Sequence, residues 1–296
     1  MFTLENDVIK IAVLKTGAEL CQITSKKYDT PFMWHASPEI WGSYAPNLFP
    51  IIGALKNNSY NFNGATYNMP KHGIVRNNPN IELHTQEAHS ITLKLVYNQS
   101  SLEVYPFKFE FYITFVIKDN RIRVEHTVLN KGETPMYFSL GGHPAFKCPV
   151  FEGEEYNDYY LGFEYDETSK THLIDMESGL ISNQTKPILN QQNTLPLTHD
   201  LFNSDALIFK DLKSKKVSLN SKTHGKILTV NYADFNYLGI WAKPNGNFLC
   251  IEPWLGIADS VDTNQDFKTK EGIMQLMPKT SFKATYSIEI DQRHLI

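Results

Sequence analysis

Between residues 80 and 131 the chain alternates apolar and polar side chains almost without a break, and this alternation restricts its fold more than any other feature. Ile81-Glu82-Leu83, Ile91-Thr92-Leu93-Lys94-Leu95, Phe109-Glu110-Phe111-Tyr112-Ile113-Thr114-Phe115 and Ile122-Arg123-Val124-Glu125-His126-Thr127-Val128 each place apolar groups on one face at period two. A helix repeats every 3.6 residues and would scatter these groups around its axis, so the segment is expected to form an antiparallel meander with one face on a core. Asp119-Asn120 supplies a tight turn between the last two strands, and Asn130-Lys131-Gly132 ends the series.

The same cadence recurs on both sides. Residues 8–14 and 18–25 read as a hairpin about Thr16-Gly17, residues 32–35 as a short strand, and Pro38, Trp41-Gly42 and Pro46 as a long irregular connection. Residues 59–62 and 66–69 form a second hairpin at Asn63-Gly64, a dipeptide suited to a two-residue turn. Residues 136–140 make one strand. Residues 150–204 are polar and least regular, and read as loops and hairpins with short strands near 159–163 and 171–173. Strands return at 206–209, 216–219, 227–232, 238–242, 248–251 and 281–290, with a single helical turn near 272–277. No helix longer than about two or three turns is expected.

Many short antiparallel strands have two sheet faces to hide, and two sheets packed face to face hide them. At 296 residues, with 18 Phe and 15 Tyr and a hydrophobic fraction of 42%, the chain has enough apolar surface for a large core. The expectation is an all-β protein, a large antiparallel β-sandwich with few short helices, formed as a single domain over residues 1–296. Charge excludes some partners. With 28 basic against 32 acidic residues, a net charge of −4 and no basic run, nothing tracks a nucleic acid or an anionic membrane. Cys21, Cys148 and Cys250 are too scattered for a disulfide framework or a Cys-x-x-Cys site. Neither a leader peptide nor an apolar stretch of about 20 residues is evident, so a soluble cytoplasmic protein is expected.

Three polar residues stand out by their punctuation. Gly73 follows His72, Gly141-Gly142 and Pro144 flank His143, and Pro253 follows Glu252 at the end of the apolar run Phe248-Leu249-Cys250-Ile251. Pro253 is expected to stop strand pairing and leave Glu252 at the lip of a core strand, where an ionised carboxylate out of water needs a partner, a ligand or a chemical task. The plain alternative is that each turn merely ends a strand, with Glu252 satisfied by backbone amides and Trp254 packing in the core.

Taken together the motifs resemble a known family. Asn47-Leu48-Phe49-Pro50 with Gly53, Pro70-Lys71-His72-Gly73 with Arg76, Tyr105-Pro106-Phe107, Gly142-His143-Pro144 and Cys250-Ile251-Glu252-Pro253-Trp254 are similar to the aldose 1-epimerase (galactose mutarotase) family, especially its LacX-like branch. The resemblance implies a galactose mutarotase-like supersandwich, no cofactor and no metal. It implies interconversion of the α and β anomers of an aldose, with a small-molecule sugar as partner and a monomeric or homodimeric protein. It places the catalytic base at Glu252, the general acid at His143, and substrate-binding roles at His72 and, by a looser match, Asp205. One departure stands out: the family usually has arginine after the glycine of the Pro50 segment, and here Gly53 precedes Ala54. Lys56 or Arg76 would then replace its contacts to sugar hydroxyls, and Trp254 offers a flat face to the ring.

The chemistry fits on its own terms. Opening a cyclic hemiacetal requires a base for the C1 hydroxyl proton and an acid for the ring oxygen, and each typically supplies about 10²–10⁴-fold. Other readings use the same residues. Two histidines and a carboxylate also make metal sites, although no two have a spacing that presets the geometry. The scaffold also suits a non-catalytic carbohydrate-binding protein, or a phosphosugar mutarotase in which Lys71 and Arg76 meet a phosphate. A glycosidase would need Asp205 or Asp259 as a second carboxylate beside Glu252.

Overall fold

The computed structural model describes residues 1–296, and antiparallel strands dominate it. The alternating region forms the expected meander: Glu82–Gln86, Ser90–Val96, Phe109–Lys118 and Arg121–Asn130 are successive neighbours in a nine-stranded sheet. Along Phe109–Lys118 buried and half-buried positions alternate, and Phe115 and Ile117 pair across the ladder with Val124 and Ile122. The sheet continues from Arg121–Asn130 through Ser281–Ile290, Gly225–Asn231, Lys216–Ser221, Tyr159–Ile174 and Ile181–Pro196. Its inner face packs into one apolar cluster of 72 buried residues. Each fully buried Phe or Leu there contributes about 1.5–3 kcal/mol.

A six-stranded sheet carries the candidate site. Its order is Leu207–Phe209, Tyr237–Trp241, Phe248–Leu255, Leu140–Gly142 and Asn47–Leu48, with Ala145–Lys147 also paired to Phe248–Leu255. Asn47 ties it to the larger sheet: its Nδ2 donates to the carbonyls of Gly17 and Ala18, while its Oδ1 lies 2.8 Å from Nε2 of buried His126. A three-stranded sheet (Phe2–Glu5, Ile9–Val13, Leu20–Ser25) and two hairpin-sized sheets complete the architecture. The only α-helix is Gln99–Val104, started by Asn98 and Ser101 in a reciprocal capping box.

Several local expectations need correction. The short strands expected near 159–163 and 171–173 are parts of one much longer hairpin, Tyr159–Ile174 against Ile181–Pro196. Four register shifts interrupt its ladder; the buried positions of its first strand keep alternating, but from 167 to 171 they are the polar Glu167, Ser169 and Thr171, and most of the second strand is exposed, so the apolar alternation is missing from the sequence. Residues 136–140 split between two sheets as Met136–Phe138 and Leu140–Gly142, and the turn expected near 272–277 is instead the strand Met274–Leu276 that pairs with Met136–Phe138. Within residues 32–35 only Met33 forms a bridge, to Phe146, and Phe2–Glu5 is an additional strand.

Pro253 does not end its strand either. Phe248–Leu255 runs through it, with Pro253 opposite Leu238, so Glu252 lies inside the strand and opposite Gly239. The tolerance has a local cause. Ile251 N donates to Pro144 O at the edge facing Leu140–Gly142 and Ala145–Lys147, and two residues on the nitrogen of Pro253 faces the same edge. The continuous register puts Gly142, the last residue before the break at His143-Pro144, opposite Pro253, so the missing N–H forfeits at most one ladder bond.

Candidate active site

Glu252 reaches the site from the middle of the buried strand Phe248–Leu255, and His143 from the break between Leu140–Gly142 and Ala145–Lys147 next to it. Strand pairing thus brings them together: Nε2 of His143 lies 3.2 Å from Oε2 of Glu252, with both side chains almost wholly buried. His72 comes from the loop after the second hairpin. It has a left-handed backbone (φ +69), and Gly73 beside it passes so close to Phe49 that a Cβ would lie 2.1 Å from the Phe49 carbonyl oxygen. His72 N donates to Gly53 O, and Gly53 N donates to Nδ1 of His72 at 3.1 Å. Because Nδ1 accepts, the proton of this neutral imidazole belongs on Nε2. The rings of His72 and His143 meet edge to face, 5.7 Å between centroids.

These residues line one cavity of about 440 Å³, within the range of small-molecule sites. The cavity brings together six of the seven residues singled out in the sequence: Glu252, His143, His72, Asp205, Arg76 and Trp254. Lys56 is the exception. Its ammonium donates to Val261 O, and the side chain is not part of the cavity wall. Asp205 arrives on a turn with φ +71, and its carboxylate accepts from Ala206 N. Trp254 is only 6% exposed, and Gly239 permits its position, since a Cβ there would fall 2.5 Å from the indole.

Further aromatic side chains wall the site. Trp41 stacks on His143 at 5.0 Å, and Trp241 meets the same imidazole edge to face at 5.9 Å. Trp41 lies in the segment read only as an irregular connection, and nothing in its local pattern pointed to His143. Ile174, Met176 and Gly179 at the tip of the long hairpin form part of the lining, as do Asn203 and Lys243. Ala54, where the family usually has arginine, is buried with its methyl 3.9 Å from the position a Cβ on Gly179 would occupy. The hairpin tip therefore sits against the residue that lacks the longer side chain.

Burial controls the charges. Removal from water raises the Glu252 carboxyl well above its ordinary 4.5, against the opposing effects of Lys71, Arg76 and the nearby Trp254 indole, which lies outside hydrogen-bond geometry. Removal from water also drives His143 from 6.5 to about 3, with Arg76 adding to the effect, and lowers His72 well below its ordinary value. Both members of the pair thus disfavour charge, and their facing atoms lie within ion-pair distance but outside hydrogen-bond geometry. Six buried side-chain polar atoms in the protein lack a hydrogen-bond partner, and four belong to this cavity: Arg76 Nε, His143 Nδ1, Glu252 Oε2 and Trp254 Nε1. Such clustering marks a place prepared for a polar guest, because each orphan costs about 1–3 kcal/mol.

Ligating atoms of His143, Cys250 and Glu252 lie within 4.8 Å of one another. Burial raises the Cys250 thiol well above its usual value. Asp259, weighed as a second carboxylate, instead forms a buried ion pair with Lys270 at 2.9 Å, outside the cavity wall.

Comparison with known proteins agrees with this architecture. The family model described as aldose 1-epimerase matches residues 1–271, and the chain belongs to that family. It is 32% identical over 295 residues to the plasmid-encoded protein LacX of Lactococcus lactis subsp. lactis, covering 97% of this chain and 98% of that protein. Among solved structures, a galactose mutarotase related enzyme from Lactobacillus acidophilus is 37% identical with a TM-score of 0.92, covering 98% of this chain and 96% of the other. A galactose mutarotase-like protein from Lactobacillus casei superposes with a TM-score of 0.91 at 28% identity, covering 98% and 99%. The all-β sandwich is thus that of the galactose mutarotase-like proteins, and no helix is long and apolar enough to cross a membrane.

Proposed function

We propose that this protein is a mutarotase, exchanging the α and β anomers of an aldose by acid–base ring opening and reclosure. The observation that supports this most is the 3.2 Å approach of His143 to Glu252 in one cavity. In a pyranose the C1 hydroxyl oxygen and the ring oxygen are bonded to the same carbon, so the groups that take and give the two protons must also be neighbours. In the form of the pair whose single proton sits on His143, Glu252 takes the hydroxyl proton and His143 protonates the ring oxygen; rotation about the opened C1–C2 bond and reversal of the transfers yield the other anomer. The pair begins and ends with the same proton count, so no co-reactant is consumed.

The other residues fit supporting parts. His72, with its proton on Nε2, is a hydrogen-bond donor to the sugar, Asp205 accepts from hydroxyls, Arg76 takes over contacts of the absent arginine, and Trp254 and Trp41 wall the ring. A second reading, carbohydrate binding without catalysis, is favoured by Ala54 alone. Saturation-transfer NMR of anomer exchange on D-glucose, D-galactose and further aldoses separates the two. Exchange above the uncatalysed rate supports the enzyme, and binding without faster exchange on every sugar overturns it.

A further inference from the structure

We infer that His143, Cys250 and Glu252 form a reversible binding site for a zinc ion, which switches the acid–base pair off when it binds. The site stands on geometry, and only its effect on turnover rests on the mutarotase reading. One ligating atom from each residue lies within 4.8 Å of the other two, and no other three His, Cys, Asp or Glu side chains in the protein converge in this way. Cys250 and Glu252 are two residues apart on the Phe248–Leu255 strand, so their side chains project from the same face, and the break at His143-Pro144 delivers the imidazole beside them. Imidazole nitrogen, thiolate sulfur and carboxylate oxygen are the three ligand types that zinc takes from proteins.

Distance and unmet bonding both favour a cation. Zinc bonds of about 2.0–2.3 Å in a tetrahedron set ligand atoms about 3.3–3.8 Å apart. Nε2 of His143 and Oε2 of Glu252 are already at 3.2 Å, and the widest separation in the group closes by about 1–1.5 Å, within the reach of a side-chain rotation. Glu252 Oε2 is buried and receives no hydrogen bond, so a lone pair stands unused where the three ligands converge. A packing role for Cys250 accounts for its burial but not for its place beside that orphan. The thiol is also absent from the wall of the sugar cavity. On binding, zinc takes a lone pair from each ligand, the thiol proton leaves to the buffer, and no electron is transferred. With Nε2 and Oε2 engaged, neither can exchange a proton with a sugar. Lys71 and Arg76 act on Glu252 as cations and weaken a metal there, while Asp205 acts in the opposite sense, so the affinity is expected to be micromolar, short of a structural zinc site.

The test strips full-length, untagged protein with EDTA and titrates it with Co²⁺, a spectroscopic stand-in for Zn²⁺. The expected result is one equivalent bound with thiolate-to-cobalt charge-transfer absorption in the near ultraviolet, displaced by Zn²⁺, kept in Cys21→Ala and lost in Cys250→Ala. Cys250→Val, of similar volume, takes over if the alanine variant does not unfold cooperatively. Saturating Zn²⁺ is expected to slow anomer exchange by about tenfold or more, reversibly with EDTA, and Cys250→Ala, compared with its own metal-free rate, to need about tenfold more zinc for the same effect. No charge-transfer absorption, or the same absorption in the Cys250 variants, would overturn the site. Unchanged exchange with Zn²⁺ bound would overturn its switching role. Absence of exchange in the metal-free protein would overturn the mutarotase reading alone, since the absorption still decides the site.

Discussion

Nε2 of His143 and Oε2 of Glu252 lie 3.2 Å apart because two neighbouring strands, not a local motif, place them side by side. Their separation depends on the break at His143-Pro144 lying next to Glu252 on the Phe248–Leu255 strand.

Replacing either member is expected to remove most anomer exchange. Glu252→Gln and His143→Asn each lose about 10²–10⁴-fold in kcat while thermal unfolding stays cooperative. Because the two act as one proton-sharing unit, the double variant loses far less than the product of the single losses. NMR exchange rates on the three variants measure this, and full activity in either single variant refutes the assignment.

The His143 imidazole is expected to show no titration at pH 6.5, the ordinary histidine value. Burial drives it to about 3, while the Glu252 carboxyl beside it is raised well above 4.5. An NMR titration of the His143 ring with its midpoint near 6.5 would point instead to a solvated histidine.

Stability has its own pH signature away from the site. His126 is fully buried, and burial lowers it to about 3, so its contribution is complete above pH 6.5 and is lost as the pH falls toward 3. In that interval it accounts for about 1.4 kcal/mol per pH unit. His126→Gln, which can still donate to Asn47 Oδ1, is expected to show a correspondingly shallower decline of urea-unfolding free energy between pH 6 and 4, on the order of that slope. Parallel slopes would refute the assignment.

The Lys270–Asp259 pair holds the cavity wall from behind. Both side chains are about 3% exposed, Asp259 Oδ2 accepts from Lys56 N, and Asp259 N and O bond to Ala54 O and Ile181 N. Lys270→Met strands a buried carboxylate and is expected to destabilise the fold by about 3–5 kcal/mol, read from chemical denaturation. A loss below about 1 kcal/mol would show the pair to be dispensable.

Ala54→Arg tests the departure from the family pattern. The buried methyl faces the hairpin tip at Gly179, so the larger side chain is expected to cost about 1–3 kcal/mol in overpacking unless that tip moves. Thermal unfolding measures the cost, and exchange on free hexoses shows whether the guanidinium reaches the cavity. An unchanged melting temperature with unchanged activity would mean that position 54 has room to spare.

The alternation at 80–131 determined the meander without help from the rest of the chain, because a period of two turns alternate side chains to one face whatever lies opposite. Glycine and proline beside His72, His143 and Glu252 marked those residues out for the same local reason. Of the long hairpin at 159–196 only short pieces near 159–163 and 171–173 were legible, since the buried positions between them are polar (Glu167, Ser169) and most of the second strand is exposed. The continuation of pairing through Pro253 was hidden too, because it depends on the strands that flank it on either side. Only the tertiary structure decided that Trp41 stacks on His143, that Lys56 turns away toward Val261, and that Arg76 is left without a carboxylate. Those outcomes depend on which distant segments share a surface, and a sequence records its neighbours along the chain, not those across a cavity.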